Sequence, residues 1–417
     1  MACASVLLVS LGAAARVQEP RLPDGEGRDV VVKVCTACHG AAPIANVRHT
    51  EKEWRAVVDD MITQGAEVTD QEVVIVVQYL TKHFGEASVR AMALAAGVAT
   101  LVAAGPADWY APAGRDFPLV GGNWPNQRYS ALDRINRSNV RTLGGAWTRH
   151  LEEGGGSGNM QATPIVVNGV MFITSGAGNV FALDAKTGAI RWTYRSEAKA
   201  GNMTNRGVVV AGGKVFAGQR DNTLVALDEK TGAQLWKTEL AASGRGYTPA
   251  PTVYYDGLVY IGVAGGEGGV RGQFGAYDAG TGKEVWKFWT LPGPGSIGHD
   301  TWEKDSWKYG GGPIWTHPAI DPALGTIYIA VGNAGPDNDG TERGGDDLFT
   351  ASIVALDLKT GAYKWHFQEV HHDLWDYDNS ASPLLADVSV RGRMRKAIVH
   401  AAKLVSCTSS TASTESR

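Results

Sequence analysis

The sequence predicts two fold classes in one chain: a small all-α domain followed by an all-β propeller. Three observations carry this reading. Two amphipathic helical stretches, each opened by a capping box, lie between residues 50 and 80. A turn motif that leads to a tryptophan occurs four times after residue 180. The composition, with 53 glycines and 13 tryptophans in 417 residues, suits many short strands joined by Gly-rich turns.

The chain is 44% hydrophobic and 20% charged, a globular composition with room for more than one domain. A net charge of −4 gives no electrostatic case for nucleic acid or an anionic membrane. No apolar run reaches 18 residues, so no transmembrane segment is predicted. Residues 1–17 read as a signal-like segment, with an apolar core from Val6 to Ala15 and a possible cleavage site at Ala13-Ala14-Ala15. No Lys or Arg precedes Arg16, so the signal is weak or the true start lies upstream.

Residues 18–86 are the helical domain. It carries Cys35-Thr36-Ala37-Cys38-His39, two of the four cysteines of the chain. C-x-x-C-H attaches a c-type haem: the thiols of Cys35 and Cys38 add to the haem vinyl groups, and His39 is placed to ligate the iron. Half a zinc site is the competing reading, and no second ligand pair stands nearby. Thr50-x-x-Glu53 caps a helix with an apolar stripe at Trp54, Val57, Val58 and Met61. Thr69-x-x-Glu72 caps the next, with Val73, Val76, Val77 and Leu80 as its stripe. The unit resembles a minimal cytochrome c. Met61 is the preferred second axial ligand, because a thioether opposite His raises the haem potential. The alternatives are that Met61 is a core residue, or that His49 or His83 ligates the iron. Residues 87–107 form a linker, within which Met92–Gly105 is Ala/Val/Leu-rich but too short to span a bilayer.

Residues 108–403 contain the repeat A-x-D-x-x-T-G-x-x-x-W. Its aspartates are Asp184, Asp228, Asp278 and Asp357, and its tryptophans are Trp192, Trp236, Trp286 and Trp365. The Asp-x-x-Thr-Gly stretch predicts a hairpin turn between alternating strands, and four strands per unit at this period make a propeller blade. A tryptophan at one place per blade is expected to fill the gap between blades. The repeat is similar to the tryptophan-docking motif of eight-bladed alcohol dehydrogenases that depend on pyrroloquinoline quinone (PQQ). The resemblance covers the whole of 108–403, beginning at Gly121-Gly122-Asn123-Trp124 and Arg128-Tyr129-Ser130. With the haem domain attached, the chain resembles a quinohaemoprotein.

That resemblance implies a site. Glu267, in Gly265–Gly272, and Asn333, in Val331-Gly332-Asn333, match segments that supply oxygen ligands to Ca²⁺, a hard cation. Trp315, in Gly311-Gly312-Pro313-Ile314-Trp315, matches the floor under the flat PQQ ring. Asp376, in His372-Asp373-Leu374-Trp375-Asp376, matches the catalytic base. Arg206 has the guanidinium to hold a PQQ carboxylate. Thr248 is a weaker hydrogen-bonding candidate, and Lys403 falls where the family places a cation near the quinone oxygen. Gln161 stands where relatives often have glutamate, and Ala200-Gly201 stands where many carry a vicinal disulfide. The expected cofactors are thus PQQ, Ca²⁺ and haem c.

Residues 404–417, LVSCTSSTASTESR, are polar and patternless, where the family expects a blade strand. The expectation is a frameshift tail, with the last blades missing and the propeller left open. The functional reading is a periplasmic dehydrogenase that oxidises an alcohol or sugar hydroxyl and passes electrons through its haem to a downstream acceptor. A non-catalytic propeller scaffold with an electron-carrier cytochrome, or an inactive truncated product of the family, are the alternatives.

Overall fold

The computed structural model describes residues 22–35, 44, 49–63, 66, 68–84, 109–151, 159–198, 204–241, 246–403 and 407–411. The signal-like segment, Cys38, His39, the 87–107 linker and Ala200-Gly201 lie outside the described residues. The chain divides into two compact units, Met1–Val102 and Ala103–Arg417.

The first unit contains α1 (Arg28–Cys35), α2 (Glu51–Thr63) and α3 (Asp70–Phe84), with α1 and α2 both packed on α3. Both capping boxes form reciprocally. The Thr50 amide donates to Glu53 at 2.8 Å and the Thr69 amide to Glu72 at 3.0 Å, while the amides of Glu53 and Glu72 donate back to the threonine hydroxyls. Each cap satisfies amides that a helix start would otherwise leave open. The predicted α3 stripe of Val73, Val76, Val77 and Leu80 is buried in full. The α2 stripe is buried only in part: Trp54 and Val58 are inside, whereas Val57 and Met61 remain 37% and 36% exposed. Helix α2 meets α3 along one edge of its stripe, and the other edge, continued by Ile62, faces outward.

The second unit is built of up-and-down antiparallel sheets. The first four-stranded blade is β2 (Ile165–Val167), β3 (Val170–Thr174), β4 (Val180–Asp184) and β5 (Ile190–Tyr194). The second is β7 (Val209–Ala211), β8 (Lys214–Gly218), β9 (Thr223–Asp228) and β10 (Gln234–Glu239). The third is β11 (Val253–Tyr255), β12 (Leu258–Val263), β13 (Gln273–Asp278) and β14 (Glu284–Trp289). The fourth is β15 (Ala319–Asp321), β16 (Thr326–Ala330), β17 (Ser352–Asp357) and β18 (Tyr363–Gln368). A three-stranded sheet follows, of β19 (Leu384–Val390), β20 (Arg393–Ala401) and β21 (Cys407–Thr411). A short parallel pair joins β1 (Asn159–Met160), which precedes the first blade, to β6 (Thr204–Asn205), which lies between the first and second.

The repeated motif explains both the turns and the blade contacts. In each turn the aspartate carboxylate accepts from the amide and hydroxyl of the threonine three residues on, as at Asp228 and Thr231, 2.8 Å each. The following glycine takes positive φ, 69°, 74°, 74° and 68° at Gly188, Gly232, Gly282 and Gly361. Each such glycine lies against the tryptophan ring of the preceding unit: Trp192 on Gly232, Trp236 on Gly282 and Trp286 on Gly361. Trp192 and Trp236 also donate to the backbone carbonyls of Glu229 and Ala279. Trp286 forgoes that bond. The carbonyl it would reach, Leu358, accepts the Tyr260 hydroxyl at 3.1 Å instead. Trp147 docks on Gly188 and the Ala185 carbonyl in the same way, although it stands outside the repeated motif. No Asp-x-x-Thr-Gly precedes it.

A Cβ on Gly232 would sit 2.5 Å from the Trp192 ring, on a backbone with φ of 74°. Gly232→Ala is therefore expected to destabilise the propeller by more than the ~1–2 kcal/mol of left-handed strain alone. A lowered urea midpoint with the helical unit unaffected is the measurement.

The tail corrects an expectation. Cys407–Thr411 is not patternless in the fold: it pairs antiparallel with β20 as β21, Ala401 opposite Cys407 and Ala397 opposite Thr411. The backbone ladder asks only for amides and carbonyls in register, so a serine- and threonine-rich segment can supply it.

Candidate active site

Loop segments within and between the blades build the site. The first is the segment after β6. Arg206 follows Asn205, whose side chain is buried and bonded to Thr174 and the Gly218 carbonyl, and the Arg206 amide donates to the Pro249 carbonyl at 3.1 Å. The guanidinium lies 4.5 Å from the centre of the Trp315 ring. It is half-buried, and no carboxylate stands within ion-pair distance among the described residues. Burial pulls its pKa down, against the opposing pull of Tyr247 and Asp378.

The second connection follows β12. Glu267 stands in the short turn Gly266–Gly268, flanked by left-handed Gly265 and Gly269, with its side chain exposed. Gly266 lies close to Gly311, where a Cβ on Gly266 would come within 3.1 Å of the Gly311 Cα, and a Cβ on Gly311 would meet the backbone of Asn333 and Gly335. Beside it, Tyr247 has its hydroxyl pKa pushed up by burial and then by Glu267, with Arg206 acting the other way. Tyr247 thus feels the charges of both the predicted metal ligand and the predicted anion holder.

The third connection leads into Trp315. Gly311 bridges to both Arg271 and Ala334, and its φ of 89° needs glycine. The fourth comprises the loops after β16 and β18. Asn333 is buried; its side-chain nitrogen donates to the Ala334 carbonyl at 3.1 Å and to Asp337 at 2.7 Å. Its side-chain oxygen is the end left to coordinate. The Asn333 amide donates to Asp378 at 2.8 Å.

Asp376 has a φ of 58° and a half-exposed carboxylate. Lys403 reaches it across 27 residues: Nζ donates to the Asp376 carbonyl at 2.6 Å and lies 3.3 Å from its carboxylate and 3.4 Å from that of Asp378. Burial alone would lower the Lys403 ammonium, but Asp378 and Asp376 together outweigh it and hold its pKa above the usual lysine value. Burial raises the Asp378 carboxyl, with the Asn333 amide and Lys403 opposing. Asp337 is raised by burial and then by the nearby Asp376 charge.

The structure therefore brings Arg206 to Trp315 and Lys403 to Asp376, and joins Asn333 to that pair through Asp378. Among the described residues Glu267 makes no hydrogen bond or ion pair with either group, and two further predicted residues stand apart. The Thr248 hydroxyl is fully buried and donates to the Gln219 carbonyl at 2.6 Å, so its proton is committed to the fold. Gln161 follows β1, and although the Thr163 amide donates to the Arg206 carbonyl nearby, the Gln161 side chain is exposed outside the hydrogen-bonded cluster. The sequence reading missed Asp378, Asp337 and Tyr247. Among the described residues no group of three His, Cys, Asp or Glu side chains is placed to hold a metal ion.

Three further histidines make contacts outside this cluster. His317 is buried against Asn126 at 2.8 Å, and Asn126 in turn donates to the carbonyls of Pro318 and Pro383, clasping β15 to β19. His299 meets the Pro292 carbonyl, and His371 lies 3.4 Å from Asp346 at the surface.

The model of the glucose/ethanol/alcohol dehydrogenase β-propeller domain, the PQQ family, matches residues 117–210 and 245–407, more than half of the chain. This chain belongs to the PQQ dehydrogenase propeller family. Within that family it is 40% identical over 312 residues to a quinohemoprotein alcohol dehydrogenase of Comamonas testosteroni, covering 69% of this chain and 44% of the relative. It is 39% identical over 307 residues to the quinohemoprotein alcohol dehydrogenase ADH-IIG of Pseudomonas putida, covering 68% and 42%. The Comamonas crystal structure superposes with a TM-score of 0.65 at 37% identity, over 69% of this chain and 46% of that one. A europium-containing methanol dehydrogenase gives a TM-score of 0.62 at 32% identity, over 69% and 54%. The chain thus spans less than half the length of the curated relatives it matches.

Proposed function

We propose that the propeller unit binds PQQ and a metal ion and oxidises an alcohol or sugar hydroxyl, and that the helical unit carries a c-type haem that passes the electrons to a downstream acceptor. Arg206 carries the reading: a half-buried guanidinium with no carboxylate partner among the described residues, set on an indole, suits a flat polycarboxylate. When bound, PQQ supplies the electron sink and the metal ion polarises it. The chain's own residues do the rest. Asp376 takes the hydroxyl proton, and its half-exposed carboxylate gives that proton a way to solvent. Lys403 keeps the carboxylates of Asp376 and Asp378 apart in charge. Trp315 and Arg206 orient the ring, and Glu267 and the Asn333 oxygen hold the ion.

Ca²⁺ is the first reading of that ion. Asp378 favours a second: a largely enclosed carboxylate between Asn333 and Lys403 adds negative charge that a trivalent cation would offset better. Europium is the ion named for the methanol dehydrogenase neighbour. A scaffold propeller would need none of this set. The test is PQQ titration of the 417-residue chain, followed by tryptophan fluorescence with Ca²⁺, with Eu³⁺ and with chelator, beside dye-linked alcohol oxidation. Saturable, metal-dependent quenching with turnover is expected; tight PQQ binding in excess chelator would exclude the shared ion.

The haem assignment rests on the C-x-x-C-H residues and on the open apolar edge of α2. Cys35 ends α1 half-buried, with burial raising its thiol pKa. Met61 stands outside the helical core, where a thioether can reach an iron, whereas His83 packs against Gly25 and Tyr79. Met61→Ala is expected to remove the sulfur-to-iron charge-transfer band and lower the haem potential; an unchanged spectrum would exclude Met61. Export to the periplasm follows from this reading, since c-type haem is assembled there. No helix among the described residues is long and apolar enough to cross a membrane.

A further inference from the structure

Asp376 sits on a strained backbone, and something outside it must hold that shape. Its φ is 58° and that of His372, four residues earlier, is 46°, both left-handed. Non-glycine residues hold such angles only where their surroundings over-determine them. The loop 371–378 has no strand partners of its own.

Two side chains supply the hold. The Asp373 carboxylate is buried and turned back on its own loop: one oxygen accepts the Trp375 amide at 2.9 Å, the other the Tyr377 amide at 2.8 Å. These amides flank Asp376 on either side. Asp373 is itself anchored by Arg343, whose guanidinium is 1% exposed. Arg343 donates to the Asp373 carbonyl at 2.5 Å, to the Pro336 carbonyl at 3.1 Å and to Asp347 at 2.6 Å. Asp347 is wholly buried and lies 3.5 Å from His372. His372 also meets the Gly345 carbonyl at 2.8 Å. Gly340 leaves the room for this, since a Cβ there would lie 2.4 Å from the His372 ring.

We propose that Asp373 and Arg343 are positioning residues that fix the carboxylate of Asp376, a role that rests on reading Asp376 as the base. One planar guanidinium ties the 336–347 segment to the Asp373 carbonyl, and one carboxylate ties both neighbours of Asp376. The Arg343–Asp347 pair, buried away from water, costs more than a surface pair returns, so it makes sense here as a device for geometry. Lysine could not replace it, because a point ammonium cannot reach two carbonyls and a carboxylate in one plane.

The experiment uses Asp373→Asn and Arg343→Lys in the 417-residue chain, with two readouts. Amide hydrogen exchange is expected to rise at least about tenfold at Trp375 and Tyr377 while β16 and β17 keep their protection. With PQQ and metal loaded, kcat is expected to fall by roughly 10²-fold with KM for the alcohol little changed, as for a misplaced catalytic group. Asp373→Asn in an Asp376→Asn background should cost nothing further. Arg343→Lys keeps a cation beside Asp347, so it covers the case in which Asp373→Asn loosens the blade. Unchanged exchange at Trp375 and Tyr377 in both variants would overturn the proposal. So would faster exchange without loss of kcat while Asp376→Asn abolishes turnover. Full turnover in Asp376→Asn would overturn the base reading, and the positioning role with it; the exchange data then separate that failure from a rigid loop.

Discussion

Replacing Asp376 by asparagine is expected to lower kcat by about 10²–10⁴-fold or more and to leave PQQ binding in place. Asparagine nearly preserves the shape and cannot take a proton. The loop should survive the change, because its fixed points lie elsewhere. Lys403 donates most closely to the Asp376 backbone carbonyl, at 2.6 Å, and the Asp373 carboxylate grips the neighbouring amides. PQQ retention should survive as well, since Arg206 and Trp315 are its proposed contacts. Steady-state turnover with an artificial acceptor, beside fluorescence titration with PQQ, separates the two effects. Wild-type turnover in the variant would remove Asp376 from the chemistry.

The second large effect is expected at Glu267. Its side chain is exposed in a turn shaped by Gly265 and Gly269, so Glu267→Ala should leave the blade intact. It should nonetheless abolish PQQ retention and turnover together, because the ion that grips the cofactor loses a carboxylate. Chelator treatment of the unmodified chain should reproduce the loss, and added metal should reverse it there but not in the variant. A Glu267→Ala protein that keeps PQQ after dialysis would place the ion elsewhere.

Much of this was legible in the sequence. The four aspartate turns form as the motif predicts, since each is closed by hydrogen bonds spanning two to four residues. The docking tryptophans do fill the joints between blades, a role readable from one tryptophan per repeat. Trp315 and Asp376 stood out because their segments match a family pattern. Other parts misled. Met61 fits a helical stripe on paper but lies outside the core, because period alone does not say how wide a face the neighbouring helix covers. Thr248 has the right chemistry for a cofactor contact, yet its hydroxyl is spent on Gln219. The polar tail lacked any strand period, and backbone pairing with β20 made it a strand.

The sequence by itself determined the fold class of the propeller, the turn chemistry, the blade-joining tryptophans and the haem-binding motif as a candidate. Each of these is written in residues a few positions apart, so neighbours in sequence are the partners that matter. Only the tertiary structure decided which groups share the site. Asp378 meets the Asn333 amide across 45 residues, Arg343 meets the Asp373 carbonyl across 30, and Lys403 meets Asp376 across 27. Nothing local marks Asp378, Asp337 or Arg343 as different from surface charges. They come together because the loop between β16 and β17 meets the loop after β18, where low solvent access makes each charge felt by the others.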